Sequence, residues 1–150
     1  MKNRNRGFTL LEVMVVVVIL AILAAVVIPR LVGSTDTARE KADITTGREV
    51  KSALDRYQVE KGIYPKTSEV TAASGTITCT GLIPTYVKKL DMSVTQQTAE
   101  TGTGFGVGTI IDETYSQPTN LIMLYLTADG SDAEVIVYKS DLTTALWSSI

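Results

Sequence analysis

Histidine is absent from the sequence, and cysteine occurs once, at Cys79. The first absence excludes histidine-based catalytic triads, and the two together exclude the usual zinc sites. A single thiol also excludes any disulfide within the chain. A domain exported to an oxidising compartment would then be held by its core, its neighbours or a metal. No glycine-rich phosphate loop precedes a helix. Gly102, Gly104, Gly106 and Gly108 fall in a loop and a strand instead. No basic patch stands out from a net charge of -2, so no nucleic-acid surface is expected. No internal repeat is visible. Nothing in this inventory points to an enzyme.

What the chain does contain is a long apolar run. Residues 8–28 are 21 in number, and Glu12 is the only charged one. As a helix the run spans roughly 32 Å, about the thickness of a bilayer's hydrocarbon core. Lys2, Arg4 and Arg6 precede it with no acidic residue among them. The positive-inside bias keeps residues 1–7 in the cytoplasm and sends the C-terminal part outward. An ordinary cleaved secretory signal fits less well, since the run is long, carries a glutamate and lacks an Ala-x-Ala-like site near its end. A charge within a membrane segment usually marks function. Cleavage of the Gly7–Phe8 bond would create an α-amine at Phe8, one helical turn from Glu12, with which the carboxylate could pair in its own chain or a neighbour's. The alternative is an anchor whose Glu12 snorkels to the cytoplasmic surface.

The basic leader, the string Gly7-Phe8-Thr9-Leu10-Leu11-Glu12, the aliphatic run and Pro29 at its end together resemble the N-terminus of the type IV pilin and secretion pseudopilin family. The likeness is close over residues 2–29 and weaker to about Pro65. It implies that a prepilin peptidase cuts after Gly7 and N-methylates Phe8. It also implies that Glu12 pairs with the Phe8 amine of an adjacent subunit in a helical filament. Removing the three basic leader residues takes the formal charge from -2 to -5. Many type IV pilins staple the C-terminal region with a disulfide; its absence here leans toward disulfide-free pilins or secretion pseudopilins.

Beyond the run, Pro29 and Gly33 weaken the helix, because proline removes a hydrogen bond and clashes with the preceding turn. Either the membrane helix ends here and Thr37-Ala38-Arg39-Glu40 caps a new one, or one long helix is bent or melted between Pro29 and Thr37. Helical spacing then continues to Lys61 along Ala38, Ala42, Thr45, Val50, Ala53, Leu54 and Tyr57, with one step of five near Gly47. This narrow stripe of small residues would let something flat pack closely. Arg39 with Asp43, Lys51 with Asp55, and Arg56 with Glu60 read as ion pairs on the wet face. Lys61, Gly62 and Pro65 stop the helix.

In the remainder, 67–80 reads as a surface loop, 81–90 as a short helix or a strand, and 93–104 as exposed and polar. Strands are expected over 105–114, 121–127 and 134–139, the last two joined through Asp129-Gly130 as a hairpin, with an edge strand at 142–147. The expected fold is α+β: a long N-terminal helix, half membrane-spanning and half amphipathic, against three or four antiparallel strands, the pilin arrangement. The expected divisions are a leader at 1–7, a hydrophobic transmembrane and assembly helix at 8–33, an amphipathic helix at 34–62 and a β-sheet head at 63–150.

One loop invites a metal. Asp129-Gly130-Ser131-Asp132, with Glu134 close by, clusters oxygen ligands suited to Ca²⁺. It resembles the calcium loop of major secretion pseudopilins but lacks their fuller ligand set, and a plain Asp-Gly turn explains most of it. No other cofactor is expected. Function is expected to be structural: a type IV pilus major subunit first, a pseudopilin of a secretion or DNA-uptake machine second, a minor tip subunit acting as a binding module third. Expected partners are identical subunits, the prepilin peptidase, an inner-membrane assembly platform and, before assembly, the membrane. The precursor is expected in the inner membrane and the product in an extracellular pilus or periplasmic pseudopilus.

Overall fold

A computed structural model describes residues 8–150. The leader, with Gly7 and the Gly7–Phe8 bond as a whole, lies outside the described residues. The chain divides into two compact units, residues 1–37 and 38–150.

The helix α1 is assigned from Leu10–Lys61, with Pro29 inside it. Its apolar portion is long and apolar enough to cross a membrane. The side chains of 8–31 are exposed, valine, leucine and isoleucine included. A helix apolar all round belongs in lipid or among other helices. The assignment continues without interruption through Pro29 and Gly33. Thr37 does not cap a new helix: its hydroxyl donates to the carbonyl of Gly33 at 3.1 Å, and Thr35 does the same to Leu31 at 2.9 Å. Such back-bonding is typical of hydroxyl residues inside a helix. Gly62, at φ 84°, ends α1 where a left-handed residue is needed.

In the second unit, a single 3-10 turn at Thr67–Glu69 leads into β1 (Val70–Ala73) and β2 (Thr76–Cys79). These pair as a separate antiparallel hairpin. The stretch expected to be a loop is therefore a hairpin. Its turn is Ser74-Gly75, both at positive φ, which matches strand twist. Residues 81–90 form turns rather than a helix or a named strand.

The main sheet has five strands, β3 (Phe105–Ile111), β4 (Thr114–Tyr115), β5 (Ile122–Leu126), β6 (Ala133–Tyr138) and β7 (Ala145–Ser148), in the order β4-β3-β5-β6-β7. It is mixed, not antiparallel throughout: β3 and β5 run parallel, Phe105 opposite Ile122. The two-residue β4 accounts for this. It turns the chain back along β3, so that the link at 116–121 delivers β5 alongside β3's other edge in β3's own direction. β5 is the central strand and is buried on both faces, as its unbroken apolar sequence requires. On one face Ile122, Leu124, Leu126, Val135 and Val137 meet Val50, Ala53 and Leu54 of α1 in the main core. On the other, Met123, Tyr125, Ile136 and Tyr138 form a second cluster with Ile110 and Tyr115. Glycines let these side chains lie flat on β3: a Cβ at Gly108 would meet the Tyr125 ring at 2.5 Å.

The buried stripe of α1 differs from the expected one. Ala38 and Thr45 are exposed, while Asp43, Gly47, Val50, Ala53 and Leu54 are buried. Asp43, Gly47, Val50, Leu54 and Tyr57 step by four, three, four and three, so the irregular step disappears. At Gly47 the sheet comes close: an added Cβ would lie 2.5 Å from Cγ2 of Val137 and 3.3 Å from the Trp147 ring.

Candidate functional site

Two places were expected to carry function, the start of α1 and the Asp129 loop. At the first, Thr9 is the N-cap and Glu12 the third helical residue. One carboxylate oxygen of Glu12 accepts both the backbone N–H and the hydroxyl of Thr9, each at 2.9 Å. Glu12's own N–H donates to the Thr9 hydroxyl at 3.2 Å. This is a reciprocal capping box. It satisfies donors that a helix start leaves open, which matters most where no water can reach them. The spacing Thr9-x-x-Glu12 is the signal for it, a role for Glu12 beside the charge pairing and snorkelling expected above. Phe8, the expected first residue after cleavage, is 77% exposed, so its ring and backbone are open to a neighbour. At Gly33 a Cβ would meet nothing within 4 Å, so packing inside this chain does not demand the glycine.

In the Asp129 loop, Asp129 Oδ1 accepts the N–H of Ser131 at 3.0 Å and its hydroxyl at 2.8 Å. Those bonds hold its carboxyl down at about 2. Asp132 Oδ1 accepts the N–H of Ala133 at 2.8 Å. Glu134 is drawn away to the hydroxyl of Tyr115. Gly130, buried at φ 80°, faces the chain just after α1: its carbonyl accepts the N–H of Tyr64 at 2.9 Å, and a Cβ would meet the Tyr64 carbonyl at 2.6 Å. Among the described residues no three histidine, cysteine, aspartate or glutamate side chains converge as a metal set. Ca²⁺ takes six to eight oxygens from carboxylates, carbonyls and water; in this arrangement the carboxylates of Asp129 and Asp132 are engaged with Ser131 and Ala133 instead.

The Asp129 hairpin is also tied to α1. Lys51 Nζ donates to the carbonyl of Ala133 at 3.0 Å and pairs with Asp55 at 2.9 Å, while the Tyr64 hydroxyl donates to Asp55 at 3.0 Å. Burial pushes the Lys51 ammonium down, but its bonds to Asp55 and Tyr64 outweigh that and raise it. The expected wet-face pair is thus a half-buried joint between helix and sheet. Arg56 and Glu60 both turn to Tyr86, Arg56 donating to its carbonyl at 2.9 Å and Glu60 accepting its hydroxyl.

Asp43 is the residue sequence reasoning misplaced most. It is fully buried, and its carboxylate accepts the N–H of Gln96 at 2.7 Å, the N–H of Gln97 at 3.0 Å and the Gln97 amide at 3.1 Å. The Gln97 amide also reaches the Tyr138 carbonyl at 3.3 Å. The polar segment expected to be exposed is instead pinned to the helix, with Thr95 and Gln97 buried.

Residues 2–28 match the family described as the prokaryotic N-terminal methylation motif. The chain is similar to the type II secretion system core protein G of Vibrio cholerae, 46% identical over 67 residues that cover 45% of this chain and 46% of the relative. It is likewise 42% identical over 69 residues to the protein of that name from Dickeya chrysanthemi, covering 46% and 45%. Against the Escherichia coli K12 protein the identity is 39% over 67 residues, covering 45% and 46%. The chain therefore spans about half the length of the curated relatives it matches. No solved structure matches it. The prepilin-type resemblance of the N-terminus stands on these findings. They shift the expectation from a type IV pilus major subunit toward the secretion pseudopilins.

Proposed function

We propose that the chain is a pseudopilin, a structural and non-enzymatic subunit of the periplasmic filament of a type II secretion system. The observation that carries this is the methylation motif at residues 2–28 running into a helix whose apolar side chains are uncovered from 8 to 31. In this reading the prepilin peptidase cuts between Gly7 and Phe8 and methylates the Phe8 amine. The precursor waits in the inner membrane with its head outside. The assembly platform then lifts it into a filament of identical subunits. Glu12 serves two states: it caps α1 through Thr9 in the lone subunit and pairs with a neighbour's Phe8 amine on assembly. Pro29 and Gly33 are the proposed place where α1 opens once it leaves lipid, where freed carbonyls find partners among packed subunits. Asp129 and Asp132 are proposed to act as turn residues.

The test is intact-mass measurement of native material joined to filament yield. A chain starting at methylated Phe8 is expected, and Glu12→Ala should be inserted and cleaved yet enter filaments poorly. A chain starting at Met1, or beyond Ala25, would sink the processing assignment. Restored secretion, rather than surface pili, in cells carrying the gene separates the pseudopilus from the type IV pilus.

A further inference from the structure

Two surfaces of the second unit complement each other and sit toward opposite edges of its sheet. The first is the tip of the β3–β4 hairpin. Ile111 pairs with Thr114, which leaves Asp112-Glu113 as a two-residue turn. Both residues stand at positive φ, 48° and 61°. Such a turn favours asparagine, aspartate and glycine, so of the two it is Glu113 that stands in a disfavoured conformation. Both carboxylates are exposed, and Ile111 beside them is 65% exposed.

The second surface is an open groove of about 590 Å³ along the outer face of α1. Arg48, Arg56 and Lys88 line it, against one acid, Glu49, and Val87 supplies an apolar patch. Arg56 is fixed there by its bond to the Tyr86 carbonyl. Arg48 stands 5.8 Å over the Trp147 ring of β7, the strand at the far edge of the sheet from β4.

We propose that the hairpin tip Ile111-Asp112-Glu113 of one copy docks in the Arg48, Arg56 and Lys88 groove of a second copy. Two carboxylates meet three cations, and Ile111 meets Val87. Donor and acceptor are different patches, so each copy can give its tip to one neighbour and its groove to another, which is a heterologous contact. A heterologous contact that does not close builds an open helical assembly. Opposed charge across it sets register more than affinity. The proposal rests on the filament reading above.

The test uses the full-length chain in membranes and in sheared filaments. Asp112→Cys and Ser52→Cys in one chain, with Cys79 buried as the only other thiol, should give under mild oxidation a ladder at multiples of the subunit mass. Asp112→Lys with Glu113→Lys, or Arg48→Glu with Lys88→Glu, should each lower filament yield by about tenfold or more, and the combined reversal should recover most of it. Filaments that form without a ladder and ignore both reversals overturn this contact and leave the filament reading standing. A cross-linked product that is not a multiple of the subunit mass overturns it in favour of a different partner. A processed chain that forms no filaments at all overturns the filament reading and this contact with it.

Discussion

At Asp43 the decisive fact is that one carboxylate faces three N–H donors in a place closed to water. Hydrogen bonds to a charged acceptor are worth about 1.5–3 kcal/mol each, and a donor left unpaired in the interior costs about 1–3 kcal/mol. Asp43→Ala orphans the donors of Gln96 and Gln97, and Asp43→Asn replaces one acceptor oxygen with a competing donor. Both should lower the melting temperature, Ala by about 2–4 kcal/mol of stability. Both should also expose the segment at 93–104 to protease before the sheet gives way. Loss of stability with no change in cleavage there would mean that Asp43 does not pin the segment. The sequence hid this role for a definite reason. Asp43 lies four residues after Arg39, which is the spacing of a surface ion pair, and an acid on a helix is solvated far more often than buried. Glu12 is the converse case. Its charge stands out in an apolar run, while the capping bond to Thr9 rests on the less conspicuous Thr9-x-x-Glu12 spacing.

Among the elements, those with a single strong pattern were legible: α1 from its long apolar run and the helical spacing that follows, β5 and β6 from their apolar runs, their connection from Asp129-Gly130. Elements set by contacts far along the chain were not. The β1–β2 hairpin is written in threonine, serine and alanine, which read as loop until Gly75 is seen against the backbone of Thr103 and Phe105. The parallel pairing of β3 with β5 depends on a strand only two residues long, below what alternation can reveal. The helix–sheet contact supplies a prediction that sets two effects against each other. Gly47→Ala would favour α1 by about 1 kcal/mol through helix propensity. The new Cβ would sit 2.5 Å from Val137 Cγ2, on a β-branched side chain with little rotamer freedom in a packed core. Overpacking of that kind costs about 1–3 kcal/mol, so the substitution should destabilise, and Gly47→Val should do so further. A rise in melting temperature for Gly47→Ala would show that β6 and β7 yield without cost.

For the molecule as a whole, the head must stand with little covalent help. Cys79 is buried and free, and burial pushes its thiol up, away from reactivity. A head of this size builds only a small core. Its support within the chain comes from joints such as Lys51–Asp55–Tyr64, and in the proposed filament from neighbours, with acid and calcium as the two discriminating probes. Hydrogen bonds from Ser131 hold Asp129 at about 2, and those from Thr143 and Thr144 hold Asp141 well below its ordinary value. For such depressed groups the stabilising contribution is present above the unfolded aspartate value of about 3.9 and is lost as pH falls through the folded one. The contribution of these two exposed aspartates to the melting temperature of the full chain in detergent should therefore be a modest one, lost between about pH 4 and 2. Calcium gives the sharper division. An ion that binds only the folded state raises the melting temperature by mass action, but here it would have to break the bonds Ser131 makes to Asp129 and draw Glu134 from Tyr115. The expected result is the same melting temperature in calcium and in chelator, with Asp129→Ala lowering both equally through loss of the turn. A calcium-dependent rise abolished by Asp129→Ala would show that the loop rearranges around a cation, and would make the metal, not the neighbouring subunit, the main support of the head.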